Sequence, residues 1–365
     1  MTTETDPQED IVFNQILKAN AESTQHLREG DILMTRSRSA IGCSDHSCLW
    51  PQSNDGTVRV PYVFSADYDE LHIQSIHEAM AEFETLTCID FVNHTTESDY
   101  LSIKSGKGCW SYYGKIGGVQ IVSLMKRGCM WKGVIQHELN HALGFLHEHA
   151  RSDRDNYVKI MWEYISSGSC SFFLEKKVNF KKSDNSNNLD LQYDYSSVMH
   201  YGINTFSNTP GKATIVPIPD ASVPVGQRYG LSNLDVAKIN KLYNCNRCST
   251  ILNGPSGSLS SDNNPSKHSG NATCFWLIRI PSKQVSLNFD AFNLQSSTDC
   301  NTEYVTIYDG ISKSSEVLLN KTCGTKTPPT VTSSGKIMLV EFVRGGTGAA
   351  TGFKASYTSV IFPTR

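Results

Sequence analysis

The segment His137-Glu-Leu-Asn-His141-Ala-Leu-Gly144-Phe-Leu-His147 constrains this chain more than any other stretch. Residues four apart share one face of a helix, so His137 and His141 present two imidazoles to one point. Glu138 follows the first of them and can reach a water held there as a general base. Gly144 lets the helix end and the chain turn, which brings His147 round as a third nitrogen donor. Three neutral imidazoles around zinc leave a position open for water and lower its pKa to about 7, so the expected site is catalytic and not closed and structural. A bare His-Glu-x-x-His recurs by accident in helices; the extended form is far more specific.

The chain has 365 residues, which makes two domains the natural expectation. Its formal net charge of −3, without a basic stripe, argues against nucleic acid as a partner. Eleven cysteines, without a pair of Cys-x-x-Cys knuckles, fit disulfides in an oxidising compartment. Asn93-His-Thr, Asn271-Ala-Thr and Asn320-Lys-Thr match the glycosylation acceptor pattern and point the same way. Met1 to Asp10 is polar and acidic, with no visible signal peptide, so secretion is expected on the cysteines and acceptor sites. No stretch is long and apolar enough to suggest a membrane span.

Up to about Arg38 the chain is polar, with a short apolar helical patch at Ile11, Phe13 and Ile16 and a basic end, Arg36-Ser-Arg38; it reads as a segment to be removed. Val58 to Phe64, Tyr100 to Lys104 and Val119 to Leu124 have strand patterns. Leu71, Ile73, Ile76, Met80 and Phe83 recur at helical spacing behind Asp67 and Asp69 and are expected in the core. After Cys245 the texture turns to Ser, Asn, Gly and Pro between short alternating runs, Trp276 to Ile280, Val285 to Phe289, Tyr304 to Tyr308, Ile337 to Phe342 and Phe353 to Tyr357. That is the pattern of a β-sandwich beyond a boundary near Asn246.

The extended histidine motif followed by Glu148, with Ser197-Val-Met199-His200-Tyr201 downstream, resembles the astacin branch of the metzincin zinc endopeptidases. The likeness runs from about Ser39 to Cys245 and is strongest to the hatching enzymes in Gln136 to Ile160 and Tyr193 to Gly202. It implies an α+β metzincin catalytic domain, a twisted sheet and long helices in two subdomains around a zinc cleft. Met199 is then the apolar floor beneath the metal, and Tyr201 the tyrosine that swings to stabilise the oxyanion. His149 and His200 lie off the family's ligand positions. The resemblance also implies latency: Gly30-Asp31 matches the propeptide motif whose aspartate takes the water's place on zinc, although Arg28 departs from the motif's aromatic or aliphatic position. Cleavage after Arg38 would free Ser39, whose amine the family buries against the glutamate after the third histidine, here Glu148.

Family matching further pairs Cys43 with Cys48, Cys88 with Cys245, Cys109 with Cys129, Cys248 with Cys274 and Cys300 with Cys323, leaving Cys170 over. Gly118 to Leu124 is a candidate for the cleft's edge strand, open to an extended substrate or simply a sheet strand. Arg228, in Gly226-Gln-Arg228, matches an arginine that lines the pocket after the scissile bond, or stands on the surface. Cys248 to about Tyr357, with Tyr304-Val-Thr-Ile-Tyr-Asp-Gly310, resembles an all-β CUB domain. Gln295, Glu303 and Arg344-Gly345 stand near the calcium positions of such domains, an incomplete acidic set that implies weak or no calcium binding.

The expected organisation is a propeptide at 1–38, an astacin-like protease at 39–246 and a CUB domain at 247–365. The implied function is a secreted zymogen with one zinc per chain that cleaves extracellular proteins, egg-envelope glycoproteins first among them. The alternatives are tolloid-like processing of matrix or growth-factor precursors, or mainly CUB-mediated binding of a glycoprotein or matrix ligand.

Overall fold

The computed structural model describes residues 11–34, 47–166, 176–183, 186–227, 229–261, 272–280, 284–345 and 350–360. Two compact units are distinguished, residues 1–80 with 89–238 and residues 81–88 with 239–365. No helix among the described residues is long and apolar enough to cross a membrane.

The first unit opens with helix α1 (Val12–Asn20), which buries Val12, Phe13 and Ile16. A hairpin follows, β1 (Leu27–Arg28) antiparallel to β2 (Ile32–Leu33), with Glu29-Gly30-Asp31 as its tip. Gly30 has φ +97°, and a Cβ there would press on Leu17, Phe13 and Phe206 at 3.0 to 3.3 Å, so the tip needs glycine on both counts. The sheet continues with β3 (Val58–Phe64), then helix α2 (Glu70–Leu86), β4 (Ile89–Asn93), β5 (Tyr100–Lys104), β6 (Cys109–Tyr112) and β7 (Val119–Leu124). The strand order is β1-β2-β6-β7-β5-β3-β4. Strands β3, β4, β5 and β7 are parallel and β6 runs antiparallel to β7.

This order corrects one expectation. Gly118 to Leu124 is no cleft edge: β7 lies between β6 and β5, with Val122 and Leu124 fully buried. The strand beyond it is β6, and the hairpin's β2 pairs with it in parallel, Ile32 opposite Ser111 and Leu33 opposite Tyr112. A second correction concerns α2. Ile76, Met80 and Phe83 are buried as a core stripe, but Leu71 is 74% exposed, next to Asp69 and Glu70, which are exposed too.

Helix α3 (Lys132–Ala142) packs against β6 and β7, and α1 packs against α3. After it the chain is mostly irregular, with a small antiparallel pair, β8 (Val158–Ile160) and β9 (Ile215–Pro217), before α4 (Asn233–Leu242). A disulfide joins Cys109 to Cys129 in this unit, and another joins Cys88 to Cys245, both of which fall in the second.

The second unit is a two-sheet sandwich. Strands β10 (Cys248–Leu252), β11 (Ser256–Ser260), β12 (Ala272–Arg279), β13 (Gln284–Asn293), β14 (Tyr304–Asp309), β15 (Glu316–Thr322), β16 (Val331–Thr332), β17 (Ile337–Arg344) and β18 (Gly352–Val360) sort into sheets β10-β12-β17-β14-β15 and β11-β18-β13-β16. Alternate residues of both sheets, among them Trp276, Leu287, Val340 and Phe353, form one core. Disulfides Cys248–Cys274 and Cys300–Cys323 lie in this unit. Glu303 is buried, and its carboxylate accepts the Gln295 N–H at 2.6 Å.

Candidate metal centre

Every residue of α3 from Gly133 to Ala142 is buried, so the helix serves as an inner wall. The Leu143 N–H still bonds the Leu139 carbonyl at 2.9 Å; Gly144 then takes φ +95°, a conformation that costs other residues about 1–2 kcal/mol. The chain returns through His147, and the Glu148 N–H donates to the Met199 carbonyl at 3.0 Å, which ties the return to the segment 197–201. Met199 is buried in that segment.

Each imidazole is oriented by its outer nitrogen. His137 Nδ1 donates to the Val198 carbonyl at 2.8 Å, His141 Nδ1 to the Phe145 carbonyl at 2.7 Å and His147 Nδ1 to Glu29 Oε2 at 2.8 Å. These oxygens only accept, so the protons sit on Nδ1, and in the neutral rings the Nε2 lone pairs face inward. Asp31 enters among them: its Oδ2 is 2.8 Å from His137 Nε2 and 3.2 Å from His147 Nε2, and its Oδ1 is 3.4 Å from His141 Nε2.

The four donor atoms lie within 4.8 Å of one another, all on buried residues. With both rings neutral, as ligation requires, His137 and His147 Nε2 at 3.2 Å set two lone pairs against each other. Asp31 Oδ1 and His141 Nε2 are buried with no hydrogen-bond partner among the described residues. One divalent cation at their centre satisfies all of these atoms, and three neutral imidazoles with a carboxylate are a donor set suited to zinc. The residues present fit a metal.

Charge follows the same geometry. Burial favours a neutral Asp31, but attraction to His147 and His141 outweighs it and holds the carboxyl well below its usual range. Burial takes His137 down to about 4. Burial also disfavours charge on His147, yet Asp31 and Glu29 together push it up to about 9. Glu138 is fully buried, with neither oxygen hydrogen-bonded among the described residues; burial, then the charge of Asp31, pushes its carboxyl well above the ordinary value.

Tyr201 is also fully buried, and its hydroxyl donates to the Glu29 carbonyl at 2.5 Å. Its ring is held between Phe13, stacked at 4.0 Å between centroids, and His149, stacked at 3.6 Å. Burial, then Glu29 and Asp31, pushes its phenol well above 10.

Glu148 has a full set of partners: Lys238 Nζ at 2.5 Å, Arg151 Nη1 at 3.2 Å and the Asp194 N–H at 2.8 Å. Ser39 and Arg38 lie outside the described residues, as do Cys43, Cys170 and Arg228. Cys48 is disulfide-bonded.

Four residues of this centre were not singled out from the sequence: Glu29, Lys238, Arg151 and Asp235. Asp235 fastens α4 to the histidine wall. Its Oδ2 accepts the N–H of Ser232 at 2.9 Å and of Val198 at 2.8 Å, its Oδ1 accepts the Ser197 hydroxyl at 2.6 Å, and the Val198 carbonyl in turn orients His137. With Ser232 Oγ accepting the Asp235 N–H at 2.9 Å, this is a capping box, and Ser232-Asn-Leu-Asp235 was its legible signal. Glu29 carried no such signal, because His147, Tyr201 and Asn179, which it meets, are far away in sequence.

The family model for the astacin peptidases matches residues 44–244, and a CUB domain model matches residues 248–357. An astacin-like metalloendopeptidase of Gallus gallus is 60% identical over 99% of this chain and 86% of its own length. Another of Coturnix japonica is 61% identical over 100% of this chain and 87% of its own. Among solved structures, High choriolytic enzyme 1, a hatching enzyme zinc-protease from Oryzias latipes, superposes with a TM-score of 0.52 at 48% identity, covering 56% of this chain and 99% of that one.

Proposed function

Because the chain belongs to the astacin family of metalloendopeptidases and carries a CUB domain, we propose that it is a secreted zymogen, latent until cut after Arg38. The reading rests on one observation, the Asp31 carboxylate seated among His137, His141 and His147. These residues hold zinc, with Asp31 as the fourth ligand in the latent form only. The organisation that accompanies this is propeptide 1–38, protease 39–246 and CUB domain 247–365.

When bound, zinc supplies Lewis acidity to a scissile carbonyl and acidifies a water. Glu138 takes the proton of that water and passes it to the leaving amine. For this its carboxyl must ionise, and departure of Asp31 removes a negative charge that opposes ionisation. Tyr201, once the Glu29 carbonyl is gone, is free to turn its hydroxyl toward the developing oxyanion. Met199 keeps the floor apolar. Glu148 receives the freed Ser39 amine in a place where Lys238 and Arg151 already offset its charge. Arg228 favours an acidic residue after the scissile bond. An extended substrate takes the place of β2 beside β6.

The substrates we propose are egg-envelope glycoproteins, in keeping with the choriolytic, hatching-enzyme relative, while the CUB domain holds a glycoprotein or matrix surface. The test is to incubate trimmed, zinc-loaded protein with purified egg envelope and with procollagen. Solubilised envelope supports the proposal; cleavage of procollagen alone would replace it with tolloid-like processing.

A further inference from the structure

The three imidazoles differ in where their outer partners come from. Those of His137 and His141 are carbonyls of the protease itself, Val198 and Phe145, whereas that of His147 is a side chain of the hairpin, Glu29. Glu29 is 1% exposed, and its Oε1 has no hydrogen-bond partner among the described residues. Its N–H donates to Asn179 Oδ1 at 3.0 Å, its carbonyl accepts the Tyr201 hydroxyl, and Arg28 Nε lies 3.3 Å from its Oε1. Its backbone sits at φ +54°, a region non-glycine residues visit at a cost, so the tip holds a strained residue where its carboxylate meets His147.

A carboxylate on the outer nitrogen of a ligating histidine fixes the ring and raises its basicity, and losing such a partner typically weakens metal binding about 10–100-fold. We infer that Glu29 is a positioning residue of the latent centre: through His147 Nδ1 it makes the precursor hold its metal more tightly than the mature enzyme does, and through its carbonyl it keeps Tyr201 parked. Removal of the hairpin then withdraws the fourth ligand, the outer partner of the third histidine and the latch on Tyr201 together. The inference rests on the latency reading above.

The test uses the full-length chain loaded with zinc, in wild type, Glu29→Ala, Glu29→Gln and Asp31→Ala, with zinc release to a chromogenic chelator followed before and after trimming. The precursor of Glu29→Ala is expected to release zinc about 10–100-fold faster than wild type. Glu29→Gln, which keeps an acceptor oxygen at nearly the same place, is expected to fall between them. After trimming all four must release at one rate, because positions 29 and 31 have left the molecule, and this also verifies that the variants folded. Equal release from the Glu29→Ala and wild-type precursors would overturn the inference. So would peptide cleavage by untrimmed Glu29→Ala at the level of untrimmed Asp31→Ala, since Glu29 would then only anchor the hairpin. If untrimmed Asp31→Ala stays inactive while Glu29→Ala still sheds zinc faster, the latency reading fails and the role of Glu29 stands.

Discussion

The histidine wall and the hairpin that faces it contribute to the same cluster of donor atoms, but they are built in opposite ways. In the wall, helical spacing, one left-handed glycine and the segment 197–199 place the donors, and Asp235 anchors that segment from α4. In the hairpin, two-residue strands and a three-residue tip hold Asp31 only because α1, β6 and Asn179 surround them. The wall sets where a metal sits; the hairpin sets what else touches it. Substitutions in the wall should therefore follow the protein into its trimmed form, and substitutions in the hairpin should not.

The largest effect expected tests the wall. Glu138→Ala should lower kcat/KM of the trimmed enzyme about 10²- to 10⁴-fold while bound zinc stays stoichiometric. Near-normal activity at full zinc occupancy would remove Glu138 from the chemistry. Tyr201→Phe comes next: an oxyanion donor lost costs about 10²–10³-fold in kcat, and KM should barely move. The precursor of that variant should also lose the bond to the Glu29 carbonyl, so Tyr201 is the one place where wall and hairpin are both affected.

Phe13→Ala should separate them. Phe13 is fully buried against Tyr201 and His147, and truncating such a ring costs about 3 kcal/mol. Thermal or denaturant unfolding should show that loss in the precursor and none in the trimmed enzyme; equal losses in both would mean that α1 stays bound after cleavage.

Asp235→Ala should do the reverse and destabilise both forms by about 2 kcal/mol, since it leaves two buried N–H donors unpaired. Its pH dependence sharpens the point. Burial, then the charge of Asp194, raises the Asp235 carboxyl to about 6. A raised carboxyl contributes stability that is complete below its ordinary value near 3.8 and is lost as pH rises through about 6. Unfolding free energies of wild type should carry that slope and those of Asp235→Ala should lack it.

The same contrast explains what could be read from the sequence. His137, Glu138, His141, Gly144 and His147 obey local spacing, and local spacing is what a sequence displays. The runs in β12, β13, β14, β17 and β18 were legible because each alternates toward a shared core. Strand β15 was not, because its residues are exposed or half-buried with no alternation. The hairpin showed only Gly30-Asp31, since its strands are too short for any period and its partners come from Ser111, Asn179 and Tyr201. Leu71 misled because a helical period says which face is apolar and not how far the core extends along the helix.

In the proposed zymogen, Asp31, seated among the three imidazoles, keeps the enzyme inactive. The most direct measurement is peptide cleavage by zinc-loaded, full-length Asp31→Ala in which Arg36 and Arg38 are also replaced by Gln to block trimming. This chain should cleave the peptide, and the matched chain that retains Asp31 should not. If both are equally silent while the same two chains with Arg36 and Arg38 restored hydrolyse the peptide after trimming, Asp31 is not what holds the precursor off.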